Sequence, residues 1–131
     1  MAGEFLESEY PLQKLTDGII AAAVNVHREL GPGFLEKIYE NALVIELESA
    51  GHKVARQLTC DVSYRGNVVG RHRIDLLVDD EIVVELKSVE ALAATHKAQL
   101  RSALKAAKKR VGLLMNFNCE TLAGGLKRVI N

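Results

Sequence analysis

Cysteine is scarce in this sequence: only Cys60 and Cys119 occur among its 131 residues. The two lie far apart, and neither forms a C-x-x-C pair. Disulfide-stabilised scaffolds and structural zinc sites need more cysteines or closely spaced ones, so the sequence argues against both kinds of protein. The two thiols are predicted to be small buried residues in a reducing compartment.

Long hydrophobic runs are also missing. No apolar stretch approaches the roughly 20 residues that a membrane-spanning helix requires. Residues 1–10 are acidic and lack the positive-then-apolar pattern of a secretory signal. We therefore expect a cytoplasmic protein.

An excess of charge of one sign is absent as well. The 17 lysines and arginines are balanced by 17 aspartates and glutamates, which gives a formal net charge of +0. Proteins that coat nucleic acid without chemistry usually carry a clear basic excess. The balance therefore disfavours a plain binding module, while a nucleic-acid enzyme with local basic patches stays open.

The length and the even composition indicate one domain over residues 1–131. Internal repeats, low-complexity tracts and linkers are absent, and hydrophobic residues make up 48% of the chain. Residues 1–11 precede the first periodic segment and are expected to be a flexible N-terminal extension.

Hydrophobic periodicity predicts the element order ααβββαβα. Spacing of three to four residues indicates helices, and alternation or a short apolar run indicates strands. The helices are predicted at 12–30, 35–50 and 95–109, with a last short helix from Thr121, and the strands at 54–64, 68–78, 81–88 and 111–117. This order predicts an α/β (α+β) domain with a mixed β-sheet flanked by helices.

The hairpin around residues 79–81 has two possible registers. A two-residue loop would mix polar and apolar side chains on both faces, whereas a three-residue loop makes the face of Ile74, Leu76 and Val78 wholly aliphatic. Register follows the pattern that buries one clean face, so the three-residue loop is predicted. The other face then contains two charged pairs, Asp75 opposite Glu85 and Arg73 opposite Lys87.

Asp75 and Glu85 would repel each other in this register, because directly opposed Cβ atoms lie about 5 Å apart. Two compensations are open. Arg73 and Lys87 could complete an ionic ladder, which is the more common arrangement for a charged strand face. A hard divalent ion is the alternative, since oxygen ligands at this spacing suit Mg²⁺ or Mn²⁺.

Glu36 in the second predicted helix is a candidate for a third carboxylate at this site. It lies at the edge of the apolar face of the second predicted helix, where it could point toward the sheet. A glutamate in the first turn is also stabilised by the positive end of the helix dipole, which is the commoner explanation.

The third predicted helix has two distinct faces. His96 is in line with its apolar face and Gln99 lies at the margin, and either could be structural or catalytic. Four basic residues form a separate stripe at helical spacing: Lys97, Arg101, Lys105 and Lys108. Such a stripe is usually a solvated face, and it also suits phosphate contacts beside an active site.

Several short motifs together carry a family resemblance. Gly33, Glu36 and Tyr39 fit the pattern G-x-x-E-x-x-Y, and D-L-L-V at 75–78, V-E-L-K at 84–87 and G-L-L-M-N-F at 112–117 follow in order. The chain resembles the prokaryotic GxxExxY proteins of the PD-(D/E)XK nuclease superfamily from about residue 15 to residue 129. The combination is specific, although each motif alone is weak.

The resemblance implies a restriction-endonuclease-like core with a metal site at one end of its central hairpin. It implies that Asp75, Glu85 and the backbone carbonyl of Leu86 bind Mg²⁺ or Mn²⁺. It further implies that Glu36 binds the metal directly or through water.

The resemblance also assigns roles beside the metal. Lys87 would orient or deprotonate the attacking water, or stabilise the charge that develops on the phosphorus oxygens. Gln99 matches a helix glutamine of many nuclease-like relatives. The chain departs from them at Ala103, where those relatives often carry a tyrosine four residues after that glutamine.

These features together predict a metal-dependent nuclease that hydrolyses phosphodiester bonds in DNA or RNA. The alternative is a catalytically inactive nuclease-fold module that binds nucleic acid or a protein partner. A homodimer would extend the contact surface, and the sequence does not indicate its interface. The candidate nucleic-acid contacts are Arg73, Lys97, Arg101, Lys105 and Lys108.

Overall fold

The computed structural model describes residues 12–131, so the extension predicted for residues 1–11 lies outside the described residues. The elements are α1 (Gln13–Leu30), α2 (Glu36–Ser49), β1 (Val54–Tyr64), β2 (Asn67–Val78), β3 (Ile82–Lys87), α3 (Ala94–Ala107), β4 (Val111–Asn116), the 3₁₀ turn η1 (Leu122–Gly125) and β5 (Leu126–Ile130). Within that range, no helix combines the length and the apolar character needed to cross a membrane.

The five strands form one mixed sheet in the order β1-β2-β3-β4-β5. β3 and β4 run parallel, and the other neighbouring strands are antiparallel. Parallel neighbours need a crossover connection, which α3 provides between β3 and β4. The predicted α+β class, with a mixed sheet flanked by helices as in a restriction-endonuclease-like core, is confirmed.

The last predicted element is only partly right, because a short 3₁₀ helix forms but an unpredicted strand follows it. The segment from Thr121 forms the short η1 turn and then strand β5, which pairs antiparallel with β4 from Met115↔Leu126 to Val111↔Ile130. Without β5, β4 would be an edge strand with unpaired backbone groups. Pairing satisfies those groups and buries Val129, whereas adjacent glycines at 124 and 125 weaken a helix.

The sheet separates two hydrophobic clusters. One cluster joins α1 and α2 to the inner residues of the central strands, with Ile19, Leu43, Leu76, Val84 and Leu113 fully buried. The other joins α3 to the opposite side of the sheet, with Leu77, Val83, Leu100, Leu104 and Leu114 among its buried members. α3 therefore lies on the face opposite to α1 and α2.

The predicted register of the β2–β3 hairpin is confirmed. Val78 pairs with Ile82, Leu77 with Val83 and Leu76 with Val84, which leaves a three-residue loop over residues 79–81. Asp79 and Asp80 adopt left-handed φ angles of 50° and 58°, a conformation that aspartate tolerates in turns. Counted back from the loop, the regular ladder ends at the pair Leu76 and Val84, so Asp75 and Glu85 are the next residues beyond it.

One member of the predicted aliphatic face departs from it. Ile74 packs in the α3 cluster with Leu77, and not beside Leu76 and Val78. The cysteines also differ from expectation, because Cys60 and Cys119 are only half-buried.

Candidate active site

Asp75 on β2 and Glu85 on β3 meet where the regular hairpin pairing ends. Asp75 is only 8% exposed, and its Oδ2 accepts a hydrogen bond from the backbone N–H of Leu86 at 2.9 Å. The backbone N–H of Asp75 donates in turn to Oε1 of Glu85 at 3.3 Å. These hydrogen bonds hold the two acidic side chains together between β2 and β3, just beyond the last regular pair of the hairpin.

The proximity of these groups changes the protonation of Glu85. Burial, followed by the negative charge of Asp75, raises the pKa of Glu85 from its ordinary value of 4.5 to about 8. The hydrogen bond from the backbone N–H of Asp75 acts in the opposite direction but does not offset these two effects. In this state Glu85 therefore retains its proton at neutral pH, which relieves the repulsion that the register predicts.

Glu36 is the first residue of α2 and lines the same pocket. Burial of its carboxyl group and the negative charge of Asp75 raise its pKa, although the residue as a whole remains exposed. The positive end of a helix dipole favours an ionised glutamate. The pKa of Glu36 is raised instead, first by burial and then by the negative charge of Asp75, so Glu36 interacts electrostatically with one member of the pair on the sheet.

The G-x-x-E-x-x-Y pattern has a structural explanation in the loop before α2. Gly33 adopts φ +109°, which glycine reaches readily. The hydroxyl of Tyr39 donates to the carbonyl of Gly31 at 2.5 Å and accepts from the N–H of Phe34 at 3.1 Å. Because Tyr39 is fully buried and stacks on Phe117, it fixes the loop from which Glu36 projects.

A pocket of about 250 Å³ brings most of the predicted site residues together. It is lined by Glu36, His72, Arg73, Asp75, Glu85, Lys87, His96, Gln99 and Leu100. Leu86 contributes through its backbone, which contacts Asp75. His72 is a pocket residue that the sequence does not indicate, because no motif distinguishes it and only the fold brings it to the pocket.

The ionic ladder that the spacing favours does not form. Arg73 and Lys87 line the pocket, but within the described residues neither makes an ion pair with a carboxylate. The raised pKa of Glu85 shows that the longer-range attraction of Lys87 does not offset burial and the charge of Asp75. A lysine beside two acidic groups remains available for another role.

The chemistry of the pocket fits a divalent cation. Asp75, Glu85 and Glu36 offer only oxygen ligands, which Mg²⁺ and Mn²⁺ prefer, and the raised pKa of Glu85 marks a position that favours a positive charge. In the part of the chain that the structure describes, no three His, Cys, Asp or Glu side chains already converge as a ligand group. Binding would therefore require the carboxyl groups to reorient and Glu85 to lose its proton.

The two candidate residues at the start of α3 differ in role. Nδ1 of His96 accepts a hydrogen bond from the backbone N–H of Ala93 at 2.9 Å, which caps the helix and explains the residue structurally. Gln99 lines the pocket. Ala103, where relatives often carry tyrosine, is fully buried in the α3 cluster. A tyrosine would not fit that position without repacking, so the departure has a steric reason.

The basic stripe lies outside the pocket. Lys97, Arg101, Lys105 and Lys108 are all exposed. Lys105 and Lys108 line a second pocket of about 500 Å³ between the end of α3 and the strands β1 and β2. His72 lines both pockets, so the two adjoin along α3.

Comparison with known proteins gives one match. The family model described as the PD-(D/E)XK nuclease superfamily matches residues 13–129, nearly the whole chain. No curated protein and no solved structure matches.

Proposed function

Because the chain belongs to the PD-(D/E)XK nuclease superfamily, we propose that it hydrolyses phosphodiester bonds in DNA or RNA with the help of a divalent cation. The observation that carries the proposal is the contact between buried Asp75 and half-buried Glu85, beside Lys87 in one pocket. Burying two acidic groups in contact is unfavourable unless a cation or a proton compensates. Acidic groups with strongly shifted pKa values are typical of catalytic and binding sites.

The cation is proposed to be Mg²⁺ or Mn²⁺. Its ligands would be Asp75, Glu85 and the backbone carbonyl of Leu86, with Glu36 binding directly or through water. When bound, the ion would polarise a phosphoryl oxygen and lower the pKa of a bound water. Glu85 must release its proton before it can act as a ligand, so ion binding and proton release are coupled.

Lys87 is proposed to act on the reacting groups themselves. Lys87 lines the same pocket as the acidic pair, and within the described residues it makes no ion pair. It can orient or deprotonate the attacking water, or stabilise the negative charge that develops on the phosphoryl oxygens.

The remaining candidates are proposed to hold the nucleic acid. Arg73 and Gln99 line the pocket and present donors for phosphate oxygens. Beyond it, the exposed stripe of Lys97, Arg101, Lys105 and Lys108 follows α3 toward the second pocket. Contacts of this kind fix the position of a strand without reading its sequence.

Narrower assignments rest on the sequence and are also proposals. Gly33, Glu36 and Tyr39 support membership of the GxxExxY proteins within the superfamily. A cytoplasmic location and a homodimer, which would extend the contact surface, are compatible with this proposal.

A substrate panel tests the proposed function. Single- and double-stranded DNA and RNA would be incubated with Mg²⁺ or Mn²⁺, using the wild type and the variants Asp75→Asn, Glu85→Ala and Lys87→Ala. We expect cleavage of at least one substrate and a loss of at least about 100-fold in each variant, as removal of charge-stabilising groups usually gives. Lys14→Gln, an exposed change on the opposite face, should retain the wild-type rate.

Two outcomes would count against the proposal. Wild-type cleavage rates in Asp75→Asn and Lys87→Ala would show that the mechanism is wrong. Binding of nucleic acid that persists in a chelator, with no products from any substrate, would indicate an inactive nuclease-fold module.

A further inference from the structure

Glu40 is a buried charge that the proposed chemistry does not use. It lies one helical turn after Glu36 on α2, and its side chain is only 3% exposed. Oε2 accepts from Arg56 at 2.8 and 3.1 Å and from Lys37 at 3.2 Å, while Oε1 accepts from Nε2 of Gln57 at 2.8 Å. Burial acts to raise the pKa of Glu40, but the bonds from Arg56 and Lys37 outweigh it and lower the pKa below 4.5.

Two of these donors are consecutive residues of one strand. Side chains of successive strand residues normally point to opposite faces of the sheet. Arg56 and Gln57 nevertheless reach the same carboxylate, and Gln57 does so with a φ of +52°. A non-glycine residue in this region is strained, and such strain persists only when its surroundings enforce it.

The irregular residue lies directly across the sheet from Asp75. Arg56 pairs with Leu76 and Leu58 pairs with Ile74, whereas the intervening Gln57 and Asp75 do not pair in the ladder. The change of face at this point explains why Ile74 packs with the α3 cluster while Leu76 packs on the other side.

Asp75 makes other contacts as a result. Its N–H donates to Glu85 and its carboxylate accepts from the N–H of Leu86, both on β3. The break opposite Gln57 thus coincides with the orientation that brings the acidic pair together.

We infer that Glu40 is a positioning residue for the candidate metal pair: it holds Gln57 in the left-handed conformation, and that conformation orients Asp75 toward Glu85 and Leu86. The metal-binding part of this inference rests on the proposed function. The orientation of Asp75 does not, since it can be observed without metal or substrate.

A double-mutant cycle tests the inference with Glu40→Gln, Gln57→Gly and the combination of both. Glycine adopts positive φ angles without strain, so it needs no hydrogen bond to hold it there. Glu48→Gln, an exposed change on the same helix, is the matched control. The readouts are the amide resonance of Leu86 in the metal-free protein, Mg²⁺ affinity by calorimetry, and the melting temperature.

Glu40→Gln is expected to shift the Leu86 amide resonance and to weaken Mg²⁺ binding by about 10- to 100-fold, the usual effect of losing a supporting residue. Gln57→Gly alone should leave both close to wild type. Adding Gln57→Gly to Glu40→Gln should restore the resonance and most of the affinity, a rescue that a general loss of stability would not produce. Glu48→Gln should change none of the readouts.

The inference is overturned if Glu40→Gln lowers only the melting temperature, with the Leu86 resonance and the Mg²⁺ affinity unchanged. It is also overturned if the double variant is no closer to wild type than Glu40→Gln alone. If the rescue occurs but no substrate is cut, the inference stands and the proposed nuclease activity fails.

Discussion

The charge on Glu85 is set by its surroundings in the folded chain. Burial and the adjacent Asp75 raise its pKa from 4.5 to about 8, so the folded protein holds this proton more tightly than the unfolded chain does. The resulting contribution to stability is fully present below pH 4.5. It decreases as the pH rises and is lost as the pH passes through about 8.

Replacing Glu85 by glutamine should therefore remove a pH dependence. Without divalent metal, we expect Glu85→Gln to match the wild type near pH 5 and to be more stable at pH 8.5 by about 1–3 kcal/mol. One pKa unit corresponds to about 1.4 kcal/mol, and solvent screens part of the effect. Urea unfolding in a chelator at several pH values measures the difference.

The matched control is Glu81→Gln in the exposed hairpin loop. It should follow the wild-type curve, because that carboxyl group is solvated. Parallel stability curves for Glu85→Gln and the wild type between pH 5 and pH 8.5 would contradict the assigned proton.

At the scale of elements, the start of α2 depends on the Tyr39 hydroxyl. Tyr39→Phe keeps the stacking on Phe117 but removes the hydrogen bonds to Gly31 and Phe34. We expect a loss of about 1–3 kcal/mol in the free energy of unfolding, because two backbone groups lose their partner. Denaturant unfolding measures it.

Tyr64→Phe provides the control for this prediction, since Tyr64 is 62% exposed near the end of β1. Its effect should stay within about 0.5 kcal/mol, as for most surface changes. Equal effects of the two substitutions would show that the Tyr39 hydroxyl does not fix the loop.

The segment of η1 and β5 can be tested by the sign of a change in stability. A Cβ on Gly125 would lie 2.4 Å from the carbonyl oxygen of Asn116, so Gly125→Ala should destabilise the fold by about 1–3 kcal/mol. A helix over the same residues would gain up to about 1 kcal/mol from that change. Thermal or denaturant unfolding distinguishes the two signs.

Gly124→Ala is the control, because the nearest atom to its Cβ would be Oγ1 of Thr121 at 4.0 Å. It should be close to neutral. If both alanines stabilise the fold, the segment forms a continuous α-helix and not η1 followed by β5.

In the molecule as a whole, positive and negative charges are equal in number but unevenly distributed along the chain. The net charge is +0, yet residues 91–118 contain six lysines and arginines and no aspartate or glutamate. Four of these cations form the stripe on and just after α3, opposite the face that α1 and α2 cover. The chain can therefore attract phosphates on one side without being basic overall.

Salt dependence tests the stripe. In an Asp75→Asn background, which prevents cleavage, Lys105→Gln should weaken binding to short duplex DNA whatever its sequence. It should also reduce the slope of log K against log salt by about 1, the contribution of one phosphate contact. Fluorescence anisotropy at several salt concentrations measures both quantities.

Lys14→Gln on α1 removes an equal charge from the opposite face and should leave the slope unchanged. If both substitutions reduce the slope equally, the stripe has no special role. If neither substitution changes the slope, other residues make the phosphate contacts.

Local sequence patterns were enough to predict three helices, four strands and the hairpin register. Those features follow from local patterns: a spacing of three to four residues predicts a helix, alternation predicts a strand, and only a loop over residues 79–81 gives the observed pairing. The predicted register also places Asp75 opposite Glu85.

The remaining features depend on contacts that form only in the folded chain. β5 is a strand because β4 needs a partner, and Ile74 packs on the α3 side of the sheet next to an irregular residue of β1, Gln57, which is hydrogen-bonded to Glu40 on α2. The charge of the acidic pair is balanced by a proton because burial, which no local pattern measures, makes protonation of Glu85 favourable. Each outcome depends on contacts between segments distant in the chain, so spacing along the sequence could identify the residues of the pair but not their ionisation.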